Sequence, residues 1–196
     1  CKIYIFTEGD TEEIYLQHYD NKKKGIEVIP VDPKHTDAVG IVKYAKKYID
    51  DNEVDVELGD KCYCVFDSDP ESNPNINEAF DLVNGYKHKG LECIFSNPSF
   101  EIWFILHYRK APYGKSAEDV KKIVKDLVKE EEPEYKETTD IFDILLDKQD
   151  KAFKEAVMLH KTQAEVHKSV FSHECNPYTN MFEFITYIKE VKKDIR

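Results

Sequence analysis

The chain is predicted to be an α/β protein: a mostly parallel sheet flanked by helices, with a helical carboxyl-terminal extension. Three observations predict it. Short β-branched and aromatic runs alternate with stretches of helical periodicity from residue 2 to about residue 110. Beyond Pro112 the periodicity is helical throughout. There is no internal repeat and no Gly/Ser-rich linker, so residues 1–110 and 111–196 are expected to pack as one structural unit, core and extension.

Taken in order, residues 2–6 (Lys2-Ile3-Tyr4-Ile5-Phe6) form a strand that ends at Thr7-Glu8-Gly9-Asp10. A helix over 11–19 follows, with Ile14, Tyr15 and His18 at helical spacing. Residues 26–31 read as a second strand, and Asp37 opens a helix whose apolar face is Ile41, Val42, Ala45 and Ile49. A third strand covers 61–66; Asp67-Ser68-Asp69-Pro70 interrupts it, and Pro74 with its neighbouring asparagines marks a loop before a helix over 76–88 closed by Gly90. Strand 91–95 runs into Ser96-Asn97-Pro98, and 100–108 is an apolar helix that must be largely buried. Helices are then expected over 117–131, 140–146, 151–168 and 178–194, the last started by Asn176-Pro177.

A net charge of −11 repels a polyanion on average, so binding of nucleic acid by global charge alone is excluded and local patches or metal ions would have to do it. The lysine clusters at 22–24, at 43, 46 and 47, at 121, 122 and 125, and at 192–193 near Arg196 read as solvated faces. Five cysteines without a Cys-x-x-Cys pair argue against a disulfide framework and a zinc ribbon, which fits a reducing cytoplasm. Cys62 and Cys64 are expected as small buried strand residues, and His160, His167, His173 and Cys175 match no familiar zinc spacing. The most apolar stretch, 101–108, is far below the roughly 20 residues that span a bilayer, and no signal-like amino end is present, so membrane and secretory readings fall away. Because Cys1 leads directly into an apolar run, an initiator Met or a few residues are expected to precede this numbering.

In an open α/β sheet, functional groups collect at the carboxyl ends of the strands. The first strand end delivers Glu8 and Gly9, with Glu12 four residues on; the third delivers Asp67 and Asp69; the fourth delivers Ser96-Asn97, with Glu101 one turn into its helix. If the turn from Glu8 is helical, both glutamates project from one face, a repulsion that a divalent cation between them reverses. In Asp67-Ser68-Asp69 alternate residues of an extended strand end point the same way, adding two hard oxygen ligands. Sulfur-free, oxygen-rich ligation favours magnesium or manganese. Helix capping by Asp69 or Glu12 is the competing explanation, but capping alone requires no such combination at separate strand ends.

The strings Thr7-Glu8-Gly9-Asp10-Thr11-Glu12-Glu13, Val65-Phe66-Asp67-Ser68-Asp69, Ser96-Asn97-Pro98-Ser99-Phe100-Glu101-Ile102-Trp103-Phe104 and Asn176-Pro177-Tyr178-Thr179-Asn180 together resemble the RloB family of Toprim-like proteins. The segment around Trp103 is the most distinctive. The resemblance implies a Toprim-like fold, with Glu8 as general acid/base or metal ligand, Asp67 and Asp69 as the metal-binding Asp-x-Asp, and Glu12 as the glutamate that completes a two-metal site in OLD-type nucleases. Glu101 has no assigned counterpart in the superfamily, and its place in the family-like Phe100-Glu101-Ile102-Trp103 string implies an additional ligand or a group behind the ligands. RloB proteins accompany restriction and abortive-infection loci, often beside an SMC/ABC-type ATPase, which implies a defence role with a partner.

The expected activity is hydrolysis of DNA or RNA by two magnesium or manganese ions about 3.5–4 Å apart, without a protein nucleophile. The alternative is a non-catalytic metal- or nucleotide-binding sensor serving an ATPase partner; primase-like nucleotidyl transfer is a third reading. No serine or cysteine nucleophile has a recognisable frame. His107 reads as a packing residue, and Lys161 or Arg109 could meet developing phosphate charge, although no motif selects between them.

Overall fold

The computed structural model describes residues 1–21, 27–31, 37–70 and 73–194. Its centre is a five-stranded sheet in the order β2-β1-β3-β4-β5, comprising β1 (Lys2–Thr7), β2 (Glu27–Val31), β3 (Lys61–Asp67), β4 (Leu91–Asn97) and β5 (Tyr178–Thr179). The first four are parallel and β5 pairs antiparallel at the edge, so the predicted α/β class with a mostly parallel sheet is the observed one. The start of the second predicted strand, Ile26, and the lysines at 22–24 lie outside the described residues.

Both faces of the sheet are covered because both alternating sets of strand residues are apolar. Ile3, Ile5, Tyr63, Val65 and Ile94 point to one side, where they meet α1 (Asp10–Gln17), α4 (Glu101–Tyr108) and α8 (Met181–Asp194). Tyr4, Phe6, Cys62, Cys64, Phe66 and Phe95 point to the other, against α2 (Ala38–Asp51) and α3 (Ile76–Tyr86). Cys62 and Cys64 are thus buried apolar residues, and burial pushes the Cys62 thiol up to about 12. Asp37 caps α2 by accepting the Gly40 N–H at 2.6 Å, and Ile41, Val42, Ala45 and Ile49 are its buried stripe. Gly90, at φ 81°, turns the chain into β4; a Cβ there would meet the Asp60 carbonyl at 3.0 Å.

The extension supplies α5 (Ala117–Val128), α6 (Phe142–Leu146) and α7 (Gln149–Val166). α4 is buried along nearly its whole length because α5 and α7 pack over it, the latter presenting the small residues Ala152 and Ala156. Two local expectations are corrected. The first helix ends at Gln17, and across it and the turn that follows the buried aromatic and aliphatic residues are Tyr15, Leu16 and Tyr19, whereas Ile14 is half-buried and His18 is exposed, stacked on Phe142. Asn176-Pro177 does not start the last helix: Tyr178 and Thr179 pair with Asn97 and Ser96, and the helix begins at Met181. Asn180 causes this. Its Oδ1 accepts the Phe95 N–H at 2.7 Å, its Nδ2 donates to the Cys93 carbonyl at 3.0 Å, and the chain is thereby held along β4 for one more rung before it can coil.

Candidate active site

The register of the sheet brings the carboxyl ends of β1, β3 and β4 to one edge, with Thr7 opposite Val65 and Asp67 opposite Ser96. There they open into a pocket of about 270 Å3. All five predicted acids line it: Glu8, Glu12, Asp67, Asp69 and Glu101. Glu8 follows β1 directly, Glu12 is in the first turn of α1, Asp67 ends β3, Asp69 lies in the loop after it, and Glu101 opens α4.

The way Glu8 and Glu12 converge differs from expectation. Gly9, in extended conformation, is the N-cap of α1, so Glu8 lies outside the helix; the two carboxylates meet because strand end and first turn face the same hollow. A Cβ at Gly9 would sit 3.1 Å from Glu12 Oε2, so glycine keeps the carboxylate's surroundings open. Neither Glu12 nor Asp69 is an N-cap: Gly9 holds that position for α1 and Asn75 for α3.

Glu8 is held by a clamp that no motif announced. Its Oε2 accepts the Asp67 backbone N–H at 3.2 Å, while Asn73 Nδ2 donates to Glu8 Oε1 at 3.1 Å and to the Asp67 carbonyl at 2.9 Å. Asn73 is itself buried, and its Oδ1 accepts the Ala38 N–H at 2.6 Å. The Asp-Ser-Asp turn is fastened from beneath, where the Ser68 hydroxyl meets His173 Nδ1 at 2.8 Å and the Ser68 N–H donates to the Ser96 carbonyl at 2.8 Å. His173 is therefore a structural anchor, Cys175 is a buried thiol donating to the Ser169 carbonyl, and His160 meets the Tyr178 hydroxyl.

Electrostatically the pocket is overloaded. Burial, then the charges of Glu101 and Glu8, push Glu12 up to about 7. Asp67 is raised well above the usual carboxylate range by burial and by Glu12, Glu101 and Glu8, and its Oδ1 is sealed from solvent with no hydrogen-bond partner. Burial likewise raises Glu8 and Glu101. Among the described residues, no three His, Cys, Asp or Glu side chains are already drawn together as a metal-ligand cluster. The donor chemistry nevertheless fits a hard divalent cation: carboxylate and hydroxyl oxygens without sulfur or imidazole, Asp67 Oδ1 unsatisfied, and an open space kept by Gly9.

The cation that does face the acids is Lys121 of α5, which pairs with Glu137 at 2.9 Å. Burial pulls its pKa down, but Glu137, Glu101 and Asp67 outweigh that and raise it. Thr11 Oγ1 donates to the Glu137 carbonyl at 3.0 Å, fastening this wall to the start of α1. Lys161 and Arg109, the cations considered from sequence, are exposed and do not line the pocket. His107 is a buried packing residue whose Nδ1 meets the Trp103 carbonyl at 2.8 Å; burial pulls it down to about 4.

In open parallel sheets ligands sit at the carboxyl ends of the strands, and the carboxylate pocket lies at that edge. The family model described as RloB-like protein matches residues 3–188, and the chain belongs to that family. No curated protein and no solved structure matches it. Among the described residues no helix is long and apolar enough to cross a membrane.

Proposed function

We propose that this chain is a metal-dependent phosphodiesterase of the Toprim type, a nuclease that hydrolyses DNA or RNA with magnesium or manganese. Its setting in this reading is cytoplasmic, in a restriction or abortive-infection defence system beside an SMC/ABC-type ATPase. The observation that carries the activity is Asp67 Oδ1, a buried carboxylate oxygen without a partner in a pocket shared with Glu8, Glu12, Asp69 and Glu101. Ionising a carboxyl buried among other acids is costly, which is why Asp67 is raised, and besides a proton a divalent cation is the neutraliser that oxygen donors select.

Glu8, Glu12, Asp67 and Asp69 are the residues that would hold the ions, with Glu101 behind or beside them. The chemistry that such ions would supply there is the acidification of a water and the neutralisation of charge on the oxygens of a phosphodiester. Glu8, raised by burial and fixed by Asn73 and the Asp67 N–H, is placed to take or give a proton. Lys121 sets a positive charge at the pocket wall, where a phosphate would approach.

The test incubates purified protein and magnesium or manganese with single-stranded, duplex and transfer RNA substrates. Cleavage is expected that chelation abolishes and that Asp67→Ala loses while keeping its fold. Unchanged cleavage by Asp67→Ala overturns the assignment. Cation binding by calorimetry without any cleavage replaces it with the non-catalytic sensor.

A further inference from the structure

We infer that the groove beside the carboxylate pocket, between α5 and residues 135–138, is the track along which the phosphodiester backbone of a nucleic-acid strand is led into the pocket. The groove has a volume of about 550 Å3 and is lined by Lys121, Lys122, Lys125 and Lys136, with Glu118 and Glu137 as its acids. It shares Lys121, Glu137 and Thr138 with the pocket, so the two are continuous.

The occupant follows from charge. In a chain of net charge −11, a basic groove joined to an acidic pocket is a local reversal of sign. Lys125 stands four residues from Lys121 and three from Lys122 on one helix, spacings at which side chains are neighbours, and all three line the groove. Lys125 and Lys136 form no ion pair among the described residues. Among the described residues Lys122 pairs with Glu118 alone, both well exposed, an interaction worth little and readily exchanged for a phosphate. At the floor, Tyr135 is buried and packs into the core beneath α5, so it backs the groove without presenting its hydroxyl to an occupant. Continuity with the pocket selects a nucleic-acid strand over an acidic peptide, and that step rests on the phosphodiesterase reading.

The test is fluorescence anisotropy of a short labelled single-stranded oligonucleotide with the full chain in EDTA, across a salt series. The wild type is compared with Lys125→Glu/Lys136→Glu and with Lys43→Glu/Lys189→Glu, which changes net charge equally on other surfaces. Only the groove pair is expected to weaken binding, by roughly ten- to a hundredfold at low salt, and to flatten the log–log salt slope by about 1.4. Equal loss in the control pair, no loss in the groove pair, no binding by the wild type, or displacement by polyglutamate as effective per charge as by oligonucleotide each overturns the track. Hydrolysis of bis(p-nitrophenyl) phosphate with manganese reads the pocket separately and is expected to be unchanged in the groove pair. If no protein hydrolyses it yet binding depends on the two lysines, the groove stands and the phosphodiesterase reading falls. If hydrolysis occurs and oligonucleotide binding ignores the lysines, the groove alone falls.

Discussion

The carboxylate of Glu8 accepts the backbone N–H of Asp67 at 3.2 Å, tying the end of β1 to the end of β3 by a side chain. Asn73 completes the tie from a loop, donating to both residues and accepting from Ala38 at the start of α2. One amide thus sets the spacing of two acids that repel each other. Asn73→Ala is expected to leave the Ala38 N–H unsatisfied and to cost about 1–3 kcal/mol of stability. Because the variant also frees Glu8 to swing, manganese affinity should fall roughly 10–100-fold, as for residues that orient ligands. Urea denaturation and calorimetric titration read the two effects separately; normal affinity in the variant would show that the clamp is structural only.

Repulsion within the pocket predicts an unusual pH dependence of the metal-free protein. Glu12 has a folded pKa of about 7 against an ordinary value of 4.5, chiefly through burial and then through Glu101 and Glu8. Between those values the native state holds more protons than the unfolded chain, so this group's contribution to stability falls as pH rises and is lost fully above the folded pKa. The size is roughly 3 kcal/mol. Asp67, Glu8 and Glu101 are shifted in the same direction. Glu12→Gln should therefore be more stable than the wild type at pH 8 and nearly equal to it at pH 4 in EDTA. Manganese should shrink the difference at pH 8 by neutralising the wild-type pocket. A gap in urea midpoint that does not change with pH would contradict this account.

The route from core to site runs through Trp103. It is fully buried on α4, two residues after Glu101, and its Nε1–H donates to the Tyr15 hydroxyl at 2.8 Å. α1 carries Glu12 and α4 carries Glu101, so this bond fixes the two helices that bring those acids together. Trp103→Ala should cost about 3–5 kcal/mol. Trp103→Phe keeps most of the packing but loses the donor, and should cost less, about 1–3 kcal/mol. Thermal unfolding of both variants beside Tyr15→Phe tests the hydrogen bond, because Trp103→Phe should cost measurably less in the Tyr15→Phe background than alone.

What was legible in the sequence was what local pattern determines. Strands rich in Ile, Val, Tyr and Phe, the buried stripe of α2 and the apolar α4 stand where periodicity placed them, and the five acids share a pocket because parallel strands put their ends on one edge. What was not legible depended on distant partners. Tyr178-Thr179 is too short a strand to announce itself and exists because Asn180 bonds across to β4. Asn73 reads as a loop asparagine until the fold brings Glu8 to it, 65 residues away in sequence. Lys121 belongs to a row of helix lysines, and only the packing of α5 on α4 turns that one toward Glu101.

Lys121 is also where activity and stability should separate. It lowers the pKa of both Glu12 and Glu101, so it offsets part of the pocket's repulsion without metal, and in the proposed phosphodiesterase it would meet the charge that a phosphate gains. Lys121→Met removes both effects. The metal-free variant should be less stable than the wild type at pH 8, since the acids lose their nearest cation, while manganese binding persists because no carboxylate has been lost. Cleavage should fall on the order of 100-fold, the usual loss when one charge-stabilising donor is deleted, and Lys121→Arg should restore a large part of it. If Lys121→Met cleaves at the wild-type rate with only its stability changed, then the ammonium serves to hold the acids and does not meet the phosphate.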